Sequence, residues 1–154
     1  MTPLTLEQAS TIVDTALAKG REAKLMPLTV VVLDTGGHLL AMKREDGCGI
    51  LRYEIARGKA YGALGMGIST RMIFDFMSER VGFLNALSGV ADGRFVPVPG
   101  GVLIKDGDGK TIGAVGISGD VSDRDEYAAI EGVKATGLTA DPDEPAENWE
   151  SARP

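Results

Sequence analysis

The chain of 154 residues contains one histidine, so any imidazole chemistry has a single address. His38 ends the glycine turn Leu33-Asp34-Thr35-Gly36-Gly37-His38-Leu39. An imidazole there can bond a backbone carbonyl, hold a ligand or exchange a proton near neutral pH. Lys59 is the second candidate. It lies with Ile55, Ala56, Ala60 and Ala63 on the small-residue face of a helix, where a lysine snorkels to the edge, finds a partner or has a function. Cys48 sits between Asp46-Gly47 and Gly49 in a loop, with no neighbour that would favour a thiolate, and no catalytic role is assigned to it.

The remaining motifs read as structure. Asp106-Gly107-Asp108-Gly109-Lys110-Thr111 starts like a calcium loop but departs from it at Lys110, Thr111 and Ile117. As a phosphate loop it fails at Ile104, where glycine is needed, so a hairpin turn remains. Gly116-Ile117-Ser118-Gly119-Asp120 lacks the closing glycine of a nucleophile elbow. The stretch from Gly119 to Asp123 precedes a helix whose free N–H groups suit either an anion or capping by Ser122 or Asp123; the acids already there favour capping. Asp125 and Glu126 are adjacent, do not face one another on a helix, and read as first-turn charges. The acid-x-x-acid spacings Asp123 to Glu126 and Glu144 to Glu147 are common in acidic segments, and no metal is assigned to them.

Composition narrows the class. A 44% hydrophobic chain of this length can bury a core as one domain, expected over 1–140, with an irregular tail over 141–154. The net charge is -6, of which the tail carries five acids and one arginine, or -4, leaving -2 for the body. With no basic stripe and 5% aromatic residues, the footprint of a nucleic-acid binder is missing. No apolar run approaches the roughly 20 residues of a membrane helix. One cysteine excludes an internal disulfide, and Met1-Thr2-Pro3-Leu4-Thr5 does not read as a secretion signal, so the cytoplasm is the expected location.

These residues need elements to position them. Thr5 and Gln8 form a capping-box pattern ahead of Leu6, Ala9, Ile12, Val13, Ala16 and Leu17, which predicts a first amphipathic helix ending near Lys19-Gly20. Thr29 to Leu33 and Leu39 to Met42 flank the His38 turn as a hairpin, with alternation placing His38, Leu40 and Met42 on one face. Helices are expected from about Leu51, from Thr70 to Val81 and from Arg124 to Thr136. Asn85 to Gly101, with four glycines and two prolines, reads as a long loop suited to binding. Val102-Leu103-Ile104 and Ile112 to Ile117 form a second hairpin. Two hairpins separated by helices predict an antiparallel sheet with packed helices, an α+β layer fold.

Several segments then occur in one order: Leu33 to Leu39, Asp46-Gly47, Ala56-Arg57-Gly58-Lys59-Ala60, Pro99-Gly100-Gly101-Val102-Leu103-Ile104, Gly113 to Gly119, and Asp125-Glu126. Over about residues 5 to 137 this resembles the GlcG/HbpS family of haem-binding-like proteins, which includes the C-terminal domain of PduO-type proteins. The resemblance implies a profilin-like fold, a five-stranded antiparallel sheet with helices on both sides, and assembly into homo-oligomers. Members are associated with haem binding or sensing and with catabolic operons. Gly36, Gly37, His38, Lys59, Gly100 and Gly101 match the family's motifs. The stretch from Met66 to Arg94, carrying Met72, Phe74, Phe76, Met77, Phe83 and Leu84, is longer and reads as core or subunit interface. Trp149 is expected to dock on the body or on a partner.

The resulting expectation is a cytoplasmic homo-oligomer that binds haem or a related planar ligand. His38 serves as iron ligand or polar contact, Lys59 and Arg94 meet carboxylates, and Gly100 and Gly101 line the pocket. The alternative is a cofactor-independent enzyme acting on a small organic acid or catabolite. There His38 or Lys59 is the general base, and N–H groups near Gly100 and Gly101 stabilise developing charge.

Overall fold

The computed structural model describes residues 2–154. The β-branched run Thr29–Asp34 forms β1, and the glycine turn returns the chain as β2, Leu39–Arg44. The second hairpin joins β3, Gly101–Lys105, to β4, Thr111–Ser118, and Thr139–Asp141 adds β5. Every pairing is antiparallel, in the order β2-β1-β4-β3-β5. β1 and β4 are covered on both faces, which is why they read as continuous apolar runs.

Among the described residues five α-helices pack on this sheet or beside it: α1 over Leu6–Glu22, α2 over Arg52–Met66, α3 over Thr70–Met77, α4 over Val81–Val90 and α5 over Ser122–Lys134. α1 starts at the expected capping box. Thr5 Oγ1 accepts from the Gln8 N–H at 3.1 Å, and Gln8 Oε1 accepts from the Thr5 N–H at 3.0 Å. α1 and α5 cover one face, setting Ile12, Val13, Ala128 and Ile130 against Val30, Val32, Val115 and Ile117. α2 covers the other, with Ala56, Ala60 and Ala63 over Val31, Leu33, Leu103 and Ala114. The α2 contact is flush because Gly116 of β4 has no side chain; a Cβ there would overlap the Ala56 carbonyl oxygen.

The expected α+β sheet with helices on both faces is therefore present, and three local expectations change. Asn85 to Gly101 is not one loop, since α4 runs through its first third. α4 buries none of its residues, and its nearly uniform apolar sequence offers no period to recognise. The aromatic residues of Met66 to Arg94 do not fill the core: Phe76 is 70% exposed and Phe74 and Phe83 are also exposed, while Thr70 and Ile73 are the buried residues of α3. Finally, the β2 partner of successive β1 residues jumps from Ala41 to Leu39. Leu40 is the extra residue of a bulge and packs on the α1 side, whereas Met42 joins the α2 side, so His38, Leu40 and Met42 share no face.

Beyond Asp141 the chain is irregular apart from a 3₁₀ turn at Trp149–Ser151. Trp149 docks on the body, stacked on Tyr127 with ring centroids 3.7 Å apart and planes 6° from parallel.

Candidate functional site

The turn that carries His38 is built by its own side chains. Asp34 Oδ1 accepts the N–H groups of Gly36 at 2.9 Å and His38 at 3.0 Å, and lies 3.2 Å from His38 Nδ1. Burial opposes ionisation of Asp34, but these N–H donors and the imidazole hold its carboxyl below the ordinary range. The ring folds back over Gly36, where a Cβ would sit 2.7 Å from His38 Cε1. Gly37 takes a positive φ of 79° and rests on the edge of the Tyr61 ring. Arg94 covers that ring's face at 4.1 Å from its centroid, anchored by Nε to the Ala91 carbonyl at 3.0 Å. The result is an imidazole, 81% exposed, with a carboxylate oxygen 3.2 Å from Nδ1, on a turn whose Gly37 rests against the aromatic ring that Arg94 covers.

Lys59 belongs to a second group. Its side chain is 2% exposed and crosses the end of the sheet from α2 to α5. Nζ donates to the Ile117 carbonyl at 2.8 Å and to Asp125 Oδ2 at 3.1 Å. Gly100, at φ 123°, makes room for it: a Cβ there would lie 2.8 Å from Nζ. Gly101 is likewise pressed between the Lys59 backbone and Thr70, whose Oγ1 accepts the Gly101 N–H at 2.8 Å. Burial pushes the Lys59 ammonium down and the Asp125 carboxyl up to about 6, each opposed by the other's charge.

Next to that pair, Arg71 of α3 binds Glu126 through Nε, 3.1 and 3.2 Å from the two oxygens, and through Nη2. Glu126 is fully buried, and burial raises its carboxyl against the pull of Arg71. Asp125 does stand in the first turn of α5, but it and Glu126 are buried and form the ends of two struts. Their signal in the sequence was phase. Asp125, Ala128, Ala129 and Gly132 follow the spacing of the buried stripe of α5. Capping also differs from expectation: Val121 is the N-cap, with no side-chain cap, while Asp120 accepts the N–H groups of Val121 at 2.7 Å and Met26 at 2.8 Å.

The five residues singled out in the sequence therefore fall in two places. Arg94 and Gly37, the neighbour of His38, both rest on the Tyr61 ring, and Lys59, Gly100 and Gly101 form the closed joint between α2, the sheet end and α5. Beyond the joint lies an open cavity of about 920 Å³, between α3, Val98-Pro99, the start of α5 and the C-terminal tail. None of the five lines it. Among the described residues no group of three or more His, Cys, Asp and Glu side chains is arranged to hold a metal ion. Nor, among the described residues, is any helix long and apolar enough to cross a membrane.

A five-stranded antiparallel sheet sandwiched by helices, with a glycine-turn imidazole and a lysine strut, defines a small α+β domain of one recognisable class. The chain belongs to the HbpS-like family: the model described as haem-degrading protein HbpS-like matches residues 4–134. A relative from Citrobacter freundii, an uncharacterized 15.0 kDa protein in a dhaT-dhaS intergenic region, is 32% identical over 128 residues, 82% of this chain and 87% of that one. Two solved structures share the fold. The PduOC–haem complex superimposes with a TM-score of 0.81 at 23% identity, covering 91% of this chain and 99% of that one. HbpS does so with a TM-score of 0.75 at 26% identity, covering 88% and 91%.

Proposed function

We propose that this chain is a cytoplasmic, homo-oligomeric binding protein for haem or a related planar ligand, with His38 as iron ligand or polar contact and Arg94 as the partner of a ligand carboxylate. One observation carries the reading: Asp34 engages His38 Nδ1 at 3.2 Å, and Nε2 is left without a partner among the described residues. A metal-bound histidine is oriented in this way, with its other ring nitrogen on a carboxylate. The donor set thus fits haem iron, and Tyr61 with Arg94 adds an aromatic surface and a cation. Haem bound there would supply iron-centred chemistry, while the chain's own residues bind and orient it. The family's haem-degrading description and the haem held by the PduO domain support the same ligand class.

Lys59, Gly100 and Gly101 act from behind in this reading, by fixing α2, which carries Tyr61. A second reading rests on the same carboxylate–imidazole pair: a general base at His38 acting on a small organic acid. Lys59 is a poor base by comparison, being closed off beneath Gly100 and already donating to two acceptors. Hemin titration followed in the Soret region tests the haem reading. The wild type is expected to give a saturable shift that His38→Ala loses; no shift, or the same shift in the variant, overturns ligation by His38.

A further inference from the structure

We propose that the cavity at the start of α5 is a separate binding site for a small organic monocarboxylate with an apolar body, and that the C-terminal tail supplies part of it through Arg153. The cavity, about 920 Å³, is bounded by Phe74, Val98, Pro99 and Val121 on its apolar side and by Arg52 and Arg153 among its charged residues. Its cations are not equivalent. Arg71 is spent on Glu126, whereas Arg52 donates only to the neutral Ser118 hydroxyl, at 3.1 Å. Arg153 makes no salt bridge among the described residues. Two arginines that line one cavity, neither with an acidic partner among the described residues, are suited to a carboxylate, which a guanidinium recognises through paired N–H donors.

The acids of the wall restrict the ligand further. Asp120 is consumed by the Met26 and Val121 N–H groups and by Arg124, at 3.3 Å. Asp75 and Asp123 have no salt-bridge partner among the described residues and line the same cavity, so the wall favours a single negative charge over a phosphate or other polyanion. The apolar side then selects for an aromatic or aliphatic body. Ala146, Ala152 and Arg153 close the site from the tail, and the tail is held in place by the Trp149–Tyr127 stack, by Arg124 Nη2 on the Glu150 carbonyl at 2.9 Å, and by Arg71 Nη2 on the Glu144 carbonyl at 2.7 Å. The family match ends at residue 134, so this wall is built by a segment outside the matched domain.

The single tryptophan is the reporter, because it pins the wall that the ligand would touch. Titration of the full chain with benzoate is expected to change Trp149 fluorescence saturably, while benzamide, isosteric and neutral, leaves it unchanged. Arg153→Ala, an exposed position whose melting temperature should match the wild type, is expected to weaken benzoate binding by about tenfold or more. No saturable response up to about 10 mM, an equal response to benzamide, or undiminished affinity in Arg153→Ala overturns the proposal. The haem reading fails separately, since His38→Ala is expected to keep the benzoate response.

Discussion

At the scale of single residues, the two positions most visible in the sequence have opposite fates. His38 keeps its imidazole in solvent and gains a carboxylate on one nitrogen; Lys59 loses solvent altogether and becomes a strut. Removing one member of a buried pair leaves the other charged and unpaired, so Lys59→Met is expected to destabilise the fold by about 3–5 kcal/mol in urea unfolding, with Asp125→Asn in the same chain recovering part of the loss. A loss below about 1 kcal/mol would mean that the pair is not a strut. Asp120 gives a signed pH dependence. Burial opposes its ionisation, but the Met26 and Val121 N–H groups and Arg124 bring its carboxyl below 3.8. Its contribution to stability is complete above that unfolded-state value and is lost as pH falls through the lower folded one. The stability gap between wild type and Asp120→Asn should therefore narrow between about pH 5 and pH 2, read by thermal melts, and a constant gap would contradict this. None of the acids in the joint was legible as such, because a charge in phase with an apolar stripe looks like a helix-terminal charge until its partner, 55 or 66 residues away, is known.

Elements show where sequence periodicity is informative and where it fails. The capping box of α1 and the two glycine hairpins are local devices, whose geometry is specified within a few residues, and all three stand where their residues place them. The β2 bulge, α4 and β5 are not local. Leu40 is displaced by the register of its neighbour strand, α4 has no polar face to mark it, and the three residues of β5 become a strand only by adding to the edge of β3. α2 is the element on which most depends, and its seat on β4 is a contact of backbone on backbone. Gly116→Ala should lift α2 from the sheet and cost about 3 kcal/mol or more, whereas Gly109→Ala, in a hairpin tip with open space around it, should cost only the strain of its positive φ, about 1 kcal/mol. Chemical denaturation of the two variants checks the order; equal losses would count against the flush contact.

For the whole molecule, the apolar surface left by α3 and α4 supports the homo-oligomer in the proposed function. Phe76 and Val81 are exposed on neighbouring helices, and Val90 at the far end of α4 is 84% exposed. Light scattering is expected to give a native mass above that of one chain, lowered by Phe76→Glu and Val81→Glu together; a monomeric wild type would remove this part of the reading. The two sheet faces carry separate clusters of apolar side chains, and the fully buried contacts of α2 with its face come from Ala56, Ala60 and Ala63, with Tyr53, Tyr61 and Leu64 packed at the margin. Lys59 is what ties that helix to the opposite layer, reaching around the sheet end to α5. Amide hydrogens of α2 should consequently exchange with solvent only when the entire domain opens. Once Lys59 is replaced, they should exchange through a partial opening that leaves α1, α5 and the strands protected, so a single side chain decides whether the two layers behave as one cooperative unit or two.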